Sequence, residues 1–505
     1  MTVDHEWDPV RSLSLGTHPG AGGVRPAPGP TAGRPGRFAV VSRRRERPPV
    51  TRRTIDRVLA GLALVLLLGF YRRVEVHPER PELGRRPVLV VSNHFNGFVD
   101  PVMLVRVLGR VPRFLAKSTL WNVVLARPFL ALAGVIPVYR KVDVGEGTAQ
   151  NDSTFRACHE VLAERGVVAI FPEGTTHDAP RLSEVRTGAA RIALGAKAAG
   201  VEGLVIVPVG LTFDDKIALR SRALAQVGEP LDLDACIDEF VAPGAAVSEH
   251  DHEAVGRLTA EIAARLQSVS PHYEDLREQQ ALRYAAEVAL RRHDTGWEST
   301  VPLGEREVLA QRLADAPAAE RERVRRAVAD YNLDLTGAGL RDGELVAGYR
   351  PTKLLRHLVA TAILVVIVAT LSLVGALVNL IPYTLVRVAS RRVAEPVTKG
   401  TVRLLVSLVA FPLTWWVFAM VIADGWDRVL LATVLTAVDG LAAVFAFEAI
   451  ARLLRDYRSW RSVAERRGLL DVARRRREET VATIDAVVAL TAGVGAQAVE
   501  APPAS

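Results

Sequence analysis

Three short runs between residues 87 and 210 consist mainly of β-branched and other apolar residues, without polar alternation. They are Pro87–Ser92, Gly166–Phe171 and Leu204–Gly210. Such runs are typical of strands that are buried on both faces of a sheet. Amphipathic stretches with helical spacing, Thr154–Arg165 and Thr187–Ala199, lie between them. The alternation predicts an α/β domain with a mostly parallel sheet over residues 75–245.

After this domain, the pattern changes to long helical stretches that carry many charges. Residues 246–350 have helical spacing, which is clearest in Glu253–Leu266 and Glu305–Tyr331. No motif with recognisable chemistry falls in this part of the chain. We interpret it as a helical accessory region.

Three long apolar runs follow within residues 357–452. They are Leu358–Val386, Leu404–Ala423 and Val429–Phe447. A helix needs about 20 apolar residues to cross a bilayer, so the pattern predicts C-terminal transmembrane helices. The first run is too short for two crossings, although its Gly375, Asn379 and Pro382 permit a re-entrant bend, so its topology stays open. Asp439 interrupts the third run; we expect it to be paired inside the bundle, and a functional role is the alternative.

Three further segments of the chain have their own patterns. Residues 1–53 combine a Pro- and Gly-rich stretch with several arginines, which predicts a disordered basic arm. The apolar run Val58–Tyr71 is short for a membrane span, so an interfacial or re-entrant helix over residues 54–74 is preferred to a buried core helix. Residues 453–505 are interpreted as a basic C-terminal tail.

The distribution of arginine indicates a membrane surface as the partner. The net charge is +8, and the basic residues are 58 arginines and 6 lysines, many of them flanking apolar runs. The turn Asp424–Arg428 is not basic, so the positive-inside rule predicts an integral protein of the cytoplasmic membrane, with its α/β domain on the cytoplasmic side. No basic stripe is interleaved with aromatic residues, which argues against nucleic-acid binding.

Cys158 and Cys236 lack metal-ligand spacing, which excludes a structural zinc site and a disulfide framework.

Polar residues follow the apolar runs of the α/β domain, at the points where strands should end. His94 and Asp100 follow the first run, Arg140 follows a short run at Ile136, and Glu173 with Gly174 follows the next. Because the carboxyl ends of parallel strands meet at one edge of a sheet, we expect these residues to converge. A histidine beside a carboxylate can deprotonate a hydroxyl group, and cations with glycine-loop amides can hold a phosphate.

With these blocks, residues 87 to about 233 resemble the phospholipid/glycerol acyltransferases. That family has a His-and-Asp block, an Arg block, an F-P-E-G block and a V-P-V block, and this chain has them in the same order. The resemblance implies that His94 is the general base and that Asp100 orients it. The implied substrate-binding residues are Arg140, Glu173, Gly174 and Thr175. It also implies an acyl thioester, on coenzyme A or on acyl carrier protein, as co-substrate, and neither a metal nor a covalent enzyme intermediate.

Two departures refine the resemblance. Five residues separate His94 from Asp100 where the family usually has four, so the loop must bulge for the two side chains to meet. Thr176 stands where the family usually has an arginine. Both features are similar to the glycerol-3-phosphate/dihydroxyacetone-phosphate acyltransferase branch, whose H-x-N-x-F-V-D-P block fits His94–Pro101. Lys117 or Arg186 is the candidate replacement for the missing arginine, and a solvated surface charge is the alternative for each.

Two more features extend this comparison. The stretch Leu211–Glu229, with Arg220 and Arg222, continues the likeness to that branch. An attacked thioester develops a negatively charged oxygen, which needs hydrogen-bond donors about 3 Å away. Backbone amides after Phe171 or after Val209 are the candidates for these donors.

The sequence therefore predicts a membrane-bound acyltransferase of phospholipid biosynthesis. The expected acceptor is the hydroxyl group of glycerol-3-phosphate or dihydroxyacetone phosphate. Lysophosphatidate is the alternative acceptor, which would make the protein a 1-acylglycerol-3-phosphate acyltransferase. An inactive lipid-binding membrane scaffold is a third interpretation, kept open by the extra residue between His94 and Asp100. A serine hydrolase is disfavoured because no G-x-S-x-G elbow occurs.

Overall fold

The computed structural model describes residues 49–78, 82–122, 127–139, 149–215, 218, 220–291, 301–347, 351–393, 396–465 and 467–500. The predicted basic arm lies outside the described residues up to residue 48. Its last residues belong to the first helix, which begins at Pro49.

Within these residues, eight strands form one sheet. They are β1 (Tyr71–His77), β2 (Val88–Ser92), β3 (Arg113–Lys117), β4 (Ile136–Val138), β5 (Val167–Ile170), β6 (Val205–Phe213), β7 (Ser221–Val227) and β8 (Leu231–Asp232). Their order is β1-β7-β6-β2-β5-β3-β4, and β8 pairs with β6. Strands β6, β2, β5, β3 and β4 are parallel; β7 and β8 are antiparallel to β6, and β1 is parallel to β7. The predicted α/β fold with a mostly parallel sheet is confirmed.

Helices cover both faces of this sheet. They are α1 (Pro49–Phe70), α2 (Val99–Leu108), α3 (Arg127–Ala133), α4 (Ala149–Ala163), α5 (Gly188–Ala198), α6 (Leu233–Phe240) and α7 (His252–Val269), with a 3₁₀ helix at Ser118–Asn122. Strand β2 is fully buried, with Val88 and Val90 in the cluster that contains α1 and α2. Leu89 and Val91 lie in the opposite cluster, with α4 to α7. A strand with two buried faces needs apolar residues at every position, which explains its unbroken apolar run.

The structure corrects the boundary of the predicted interfacial segment 54–74. Helix α1 ends at Phe70, and Tyr71 begins β1 because it is buried and pairs with β7. Along α1, Leu67 packs into the core of the domain, whereas Val58 and Val65 are exposed. The helix therefore has one face on the domain and a second apolar face left open; its role at a membrane interface stays a prediction.

The third predicted strand run, Leu204–Gly210, ends too early. Strand β6 continues to Phe213 because its second half pairs with β7, with Gly210 opposite Gln226. The amide after Val209 thus lies inside the sheet and not in a turn. A Cβ atom at Gly210 would lie 1.7 Å from the carbonyl oxygen of Val269, so only glycine lets the end of α7 come this close.

The accessory region begins with α8 (Leu276–Leu290), α9 (Leu303–Ala314), α10 (Ala318–Ala338) and α11 (Asp342–Ala347). The helical pattern predicted over Glu305–Tyr331 is divided between α9 and α10, because Pro317 has no amide hydrogen for a continuous helix. The region is joined to the sheet at Asp214, which follows β6 and accepts hydrogen bonds from Arg222 and Arg306, both at 2.6 Å. Burial would raise the pKa of the Asp214 carboxyl, but the two guanidinium groups hold it below its ordinary value.

The apolar C-terminal part is helical, as predicted. It forms α12 (Pro351–Leu371), α13 (Leu373–Arg391), α14 (Pro396–Ile422) and α15 (Trp426–Glu465). Among the described residues, three helical segments are long and apolar enough to cross a membrane: Leu373–Arg391, Leu405–Ile422 and Trp426–Arg458. Val359–Leu371 is a shorter apolar helix.

The first apolar run divides at Ser372, and not at Gly375, Asn379 or Pro382, all of which lie inside α13. The Gly375 amide donates a hydrogen bond to Asp439 Oδ2 at 2.6 Å, where a continuous helix would use the Leu371 carbonyl. The expectation that Asp439 is paired within the bundle is confirmed. Its carboxylate lies at the positive N-terminal end of α13, where helix geometry favours a negative charge.

The last described helix, α16 (Arg467–Glu500), falls within the predicted basic tail. It contributes Ala473, Ile484 and Val487 to the core of the accessory region. Arg477 donates a hydrogen bond to the buried Asp342 at 2.7 Å. The segment after the apolar helices therefore packs against the accessory region and forms part of its core.

The close approach at Gly210 predicts a loss of stability on substitution. We expect Gly210→Ala to lower the free energy of unfolding by about 1–3 kcal/mol, the usual cost of forcing extra atoms into a packed site. Gly256, exposed in α7 with nothing within 4 Å of an added Cβ, is the control. Gly256→Ala should raise stability by about 0.5–1 kcal/mol. Denaturant unfolding of the detergent-solubilised protein measures the free energy of unfolding of both variants. Equal values for Gly210→Ala and Gly256→Ala would contradict the close packing at Gly210.

Candidate active site

A histidine and a buried carboxylate meet where β2 ends. His94 lies in the loop after β2, Asp100 lies in the first turn of α2, and their Nδ1 and Oδ2 atoms are 2.9 Å apart. The Asp100 side chain is fully buried, whereas His94 remains 16% exposed. The carboxylate favours a proton on Nδ1, which leaves the lone pair of Nε2 free to accept a proton. Nε2 makes no hydrogen bond with a described residue.

The additional residue between His94 and Asp100 is accommodated by Asn96. Its side-chain oxygen accepts long hydrogen bonds from the amides of Phe98 and Val99, at 3.4 and 3.5 Å. Its own amide donates to Asp100 Oδ2 at 2.6 Å. Asn96 thus forms the local turn that an asparagine side chain favours, and the turn brings the carboxylate to the imidazole.

Glu173, in the turn after β5, is buried and joins this loop to the next one. Its Oε1 atom accepts a hydrogen bond from the His94 amide at 2.7 Å, and Oε2 accepts one from the Ser183 amide at 2.7 Å. Oε2 is also in close contact with His177 Nε2. Both carboxylate oxygens therefore bind groups of the protein. The geometry gives Glu173 the means to fix the position of His94, while its predicted contact with substrate stays a prediction.

Two aromatic rings flank the site. The Phe171 ring stacks on the His94 imidazole, with centroids 4.0 Å apart and planes 14° apart. Phe95 meets His177 edge to face, with centroids 5.3 Å apart. The amide of His177 donates to the carbonyl oxygen of His94 at 3.3 Å. His94 is thus held by three contacts: the Phe171 ring stacks on its imidazole, the His177 amide binds its carbonyl oxygen, and Asp100 binds Nδ1.

Arg186 lies against the glycine of the F-P-E-G turn. Gly174 has φ +71°, in the region that favours glycine, and an added Cβ atom would lie 3.2 Å from Arg186 Nη1. The Arg186 amide donates to the carbonyl oxygen of Pro172 at 3.0 Å. Arg186 itself is exposed. The structure therefore brings an open guanidinium group to the turn that the sequence predicts to bind phosphate.

The remaining predicted site residues fall at the same edge or outside the described part. Thr175 is exposed in the turn after Gly174, and Lys117 is exposed at the end of β3. Strand β3 neighbours β5, so Lys117 ends a strand beside the one that precedes Glu173. Arg140 lies outside the described residues. The described residues hold no group of three or more His, Cys, Asp or Glu that could bind a metal ion.

Sequence reasoning missed two residues of the site. Asn93 is buried, donates to the Leu211 carbonyl at 3.0 Å and accepts from the Leu211 amide at 2.6 Å, so it ties the end of β2 to β6. His177 was not predicted to belong to the site, although it contacts Glu173. A polar residue directly after a wholly apolar strand was the available signal for Asn93. No local pattern pointed to the contact of His177.

The chain is similar to known acyltransferases over the part that builds this site. Residues 73–212 match the family described as Acyltransferase. This domain belongs to the acyltransferase family. It holds His94, Asp100 and Glu173 at the carboxyl edge of its sheet.

Individual relatives of the chain are distant. Glycerol-3-phosphate O-acyltransferase 2 of Saccharomyces cerevisiae is 28% identical over 294 residues, which are 54% of this chain and 38% of that protein. Lyso-ornithine lipid O-acyltransferase of Rhizobium meliloti is 35% identical over 149 residues, 29% of this chain and 47% of that protein. The chain thus spans less than half the length of these relatives.

One solved structure is also similar to this chain. It is the 1-acyl-sn-glycerophosphate acyltransferase PlsC from Thermotoga maritima, at 18% identity and a TM-score of 0.27, covering 42% of this chain and 80% of that one.

The position of Glu173 predicts a loss of acyl transfer when its charge is removed. Glu173→Gln keeps the shape but removes the charge and replaces one of the two accepting oxygens with an NH₂ group, which cannot accept. Hydrogen bonds to a charged group contribute about 1.5–3 kcal/mol, so kcat should fall roughly tenfold to a hundredfold. Glu184→Gln, an exposed neighbour, is the matched control. Initial rates measure both, and a normal kcat in Glu173→Gln would contradict the positioning of His94 by this carboxylate.

Proposed function

We propose that this protein transfers a fatty acyl group from an acyl thioester to the hydroxyl group of glycerol-3-phosphate or dihydroxyacetone phosphate. The observation that carries the proposal is the contact of His94 with the buried Asp100 beside the F-P-E-G turn. The similarity to glycerol-3-phosphate O-acyltransferase 2 over 54% of the chain supports the choice of acceptor. The donor thioester is carried by coenzyme A or by acyl carrier protein.

In the proposed mechanism, His94 Nε2 removes the proton from the acceptor hydroxyl group as its oxygen attacks the thioester carbonyl. Asp100 keeps the imidazole oriented and stabilises the imidazolium ion that forms. The tetrahedral intermediate collapses with loss of the thiolate, which takes the proton back from His94. No covalent enzyme intermediate is needed, since the hydroxyl group attacks the thioester directly.

We assign the stabilisation of the oxyanion to the backbone amides of Thr175 and Thr176 in the turn after β5, because the Gly174 amide already donates to the carbonyl oxygen of Phe171 at 3.1 Å. The turn directly precedes His177, whose amide is bonded to the carbonyl oxygen of His94, so its amides lie near the attacking group. Of the two positions considered from the sequence, the one after Val209 is inside β6 and is not available. Amide donors in a fixed turn stabilise developing negative charge without reorganising.

A lysolipid is the second candidate acceptor. The observation in its favour is the 35% identity to lyso-ornithine lipid O-acyltransferase over 149 residues. With lysophosphatidate as acceptor, the same His94 chemistry would acylate the sn-2 hydroxyl group. The inactive-scaffold interpretation was kept open by the additional residue between His94 and Asp100. The two side chains are in contact despite that residue, which argues against this interpretation.

We further propose that the protein is integral to the cytoplasmic membrane, with the acyltransferase domain on the cytoplasmic side. Three apolar helical segments are long enough to span the membrane. Exposed arginines lie at the C-terminal end of the third segment and just after it, at 452, 455, 458 and 461, and the turn Asp424–Arg428 lies at its opposite end. Positive residues favour the cytoplasmic side of a bilayer. Helix α16 follows these arginines and packs into the accessory region, which supports the same side for the acyltransferase domain.

The general-base role predicts that His94→Ala nearly abolishes acyl transfer. Removal of a general base costs about 10²–10⁴-fold in rate. Membranes containing either form are offered a labelled acyl thioester, with glycerol-3-phosphate, dihydroxyacetone phosphate or lysophosphatidate in separate reactions. His250→Ala, which changes an exposed histidine in a distant loop, is the control. His94-dependent product with either of the first two acceptors supports the proposal; product with lysophosphatidate alone favours the lysolipid alternative, and wild-type rates in His94→Ala refute the mechanism.

The position of Arg186 predicts a role in holding the acceptor phosphate. A hydrogen bond to a charged group contributes about 1.5–3 kcal/mol, so Arg186→Ala should raise the KM for a phosphate-bearing acceptor about tenfold or more, with a smaller change in kcat. Arg257→Ala, at an exposed arginine of α7, is the control. Steady-state kinetics with varied acceptor tests this, and an unchanged KM would remove Arg186 from the site.

A further inference from the structure

Arg220, from the Arg220-Ser-Arg222 motif, has no part in the chemistry assigned to His94 and the turn after β5. It precedes β7 and has φ +64°, a left-handed conformation that residues other than glycine seldom adopt. Such a conformation is retained where the surrounding contacts impose it. Those contacts involve the membrane helices.

The Arg220 guanidinium group binds a carboxylate on a membrane helix. Its Nε atom donates to Glu448 Oε1 of α15 at 2.5 Å, and Nη2 donates to Oε2 at 3.3 Å. The group also lies 5.2 Å from the centre of the Phe445 ring. Both charged side chains are largely shielded, with 12% and 18% exposed. A two-pronged contact of this kind fixes orientation as well as distance.

The same residue caps the C-terminal end of α1. Arg220 Nη1 donates to the carbonyl oxygens of Leu68, at 2.6 Å, and Tyr71, at 3.2 Å. Its amide donates to the carbonyl oxygen of Phe70 at 2.7 Å. Leu68 and Phe70 lie in the last turn of α1, where a helix leaves its carbonyl groups without internal partners. One side chain therefore joins the end of α1, the β6–β7 loop and α15.

Sheet topology places this junction at the active-site edge. Strand β7 is antiparallel to β6 and β1 is parallel to β7, so both begin at the edge where β2, β5 and β6 end. Tyr71 begins β1, and it is close enough to Asp100 for the carboxylate, after burial itself, to raise the pKa of the Tyr71 phenol. The Arg220–Glu448 contact and the His94–Asp100 pair thus lie on one edge of one sheet.

Glu448 lies near the end of the apolar part of α15. It belongs to the candidate span Trp426–Arg458, and the exposed Arg452 and Arg455 follow it by one and two helical turns. Arg72, at the start of β1, is exposed beside the same group. Exposed arginines at the end of an apolar helix are typical of the level of anionic lipid headgroups.

We propose that the Arg220–Glu448 contact is a clamp that holds the active-site edge of the acyltransferase domain on the membrane helices, so that the site takes long-chain acyl substrate at the bilayer surface. Arg220 is a positioning residue, since it sets the orientation of the domain and does not touch the reacting atoms. The clamp deepens the proposed function and depends on it for the identity of the substrate. The contact itself joins two parts of the chain whatever the acceptor is.

Two single variants of the full chain, and the double variant that combines them, test the clamp. Arg220→Lys keeps the charge but loses the two-pronged contact, and Glu448→Gln keeps the shape but loses the charge. The matched control is Arg86→Lys, because Arg86 binds Asp232 at 2.7 Å in an ion pair confined to the α/β domain. Each variant is reconstituted in liposomes that contain anionic phospholipid.

Acyl transfer is measured with a long-chain acyl-CoA in the liposomes and with butyryl-CoA, which is water-soluble, in detergent. We expect kcat/KM for the long-chain donor to fall about tenfold in both clamp variants, which corresponds to about 1.4 kcal/mol. The rate with butyryl-CoA should stay within about twofold of wild type, and Arg86→Lys should change neither rate. The double variant should be no worse than the single ones, since both remove one contact. Equal losses with both donors would overturn the clamp, because they indicate general damage to the catalytic domain.

Hydrogen exchange gives a readout that does not depend on turnover. In Glu448→Gln, amides in residues 66–73 and 220–226 should exchange faster, because the capping of α1 is released. The same segments should keep wild-type exchange in Arg86→Lys. Unchanged exchange in Glu448→Gln would overturn the clamp, even if rates fell. If the wild-type protein acylated none of the acceptors, the proposed function would fail, and the exchange measurement alone would then decide for or against the clamp.

Discussion

The buried carboxylate of Glu173 is the interaction on which the site depends. It accepts hydrogen bonds from the amide of His94 after β2 and from the amide of Ser183, and it contacts His177. A charged group that is removed from water must be satisfied by such donors, since an unpaired carboxylate would be costly. The requirement draws the ends of β2 and β5 together. The imidazole of His94 is then oriented by Asp100, which is equally buried.

Because of the directions of the strands, the same edge of the sheet also contacts the apolar C-terminal helices. Parallel strands β2 and β5 bring their polar ends to one edge, and the antiparallel return through β7 brings Arg220 to the same edge. Glu448 meets it there from α15. At the far side of the break between α12 and α13, Asp439 binds the Gly375 amide. Carboxylates on one long helix therefore contact both the α/β domain and the start of a neighbouring apolar helix.

The sequence predicted the buried centre of the fold well and its edges poorly. Strands β2, β5 and β6 have two covered faces, so their apolar runs are continuous and easy to detect. Strand β1 mixes Arg72, Arg73 and Glu75 with apolar residues, and its pairing with β7 gives no local signal. Helix α16 was missed for a related reason, because the partners of its apolar residues lie far away in the chain.

The sequence by itself determined the α/β class, the apolar C-terminal helices and the polar residues at the strand ends, since these follow from local periodicity and from the chemistry of single residues. It also predicted that His94 and Asp100 could meet only if the loop bulged. Only the tertiary structure decided that Asn96 forms that turn, that Glu173 binds the backbone of His94, and that Arg220 meets Glu448. These contacts join residues through backbone amides or across 228 positions. The chain order alone does not specify them, because they depend on how strands and helices are packed.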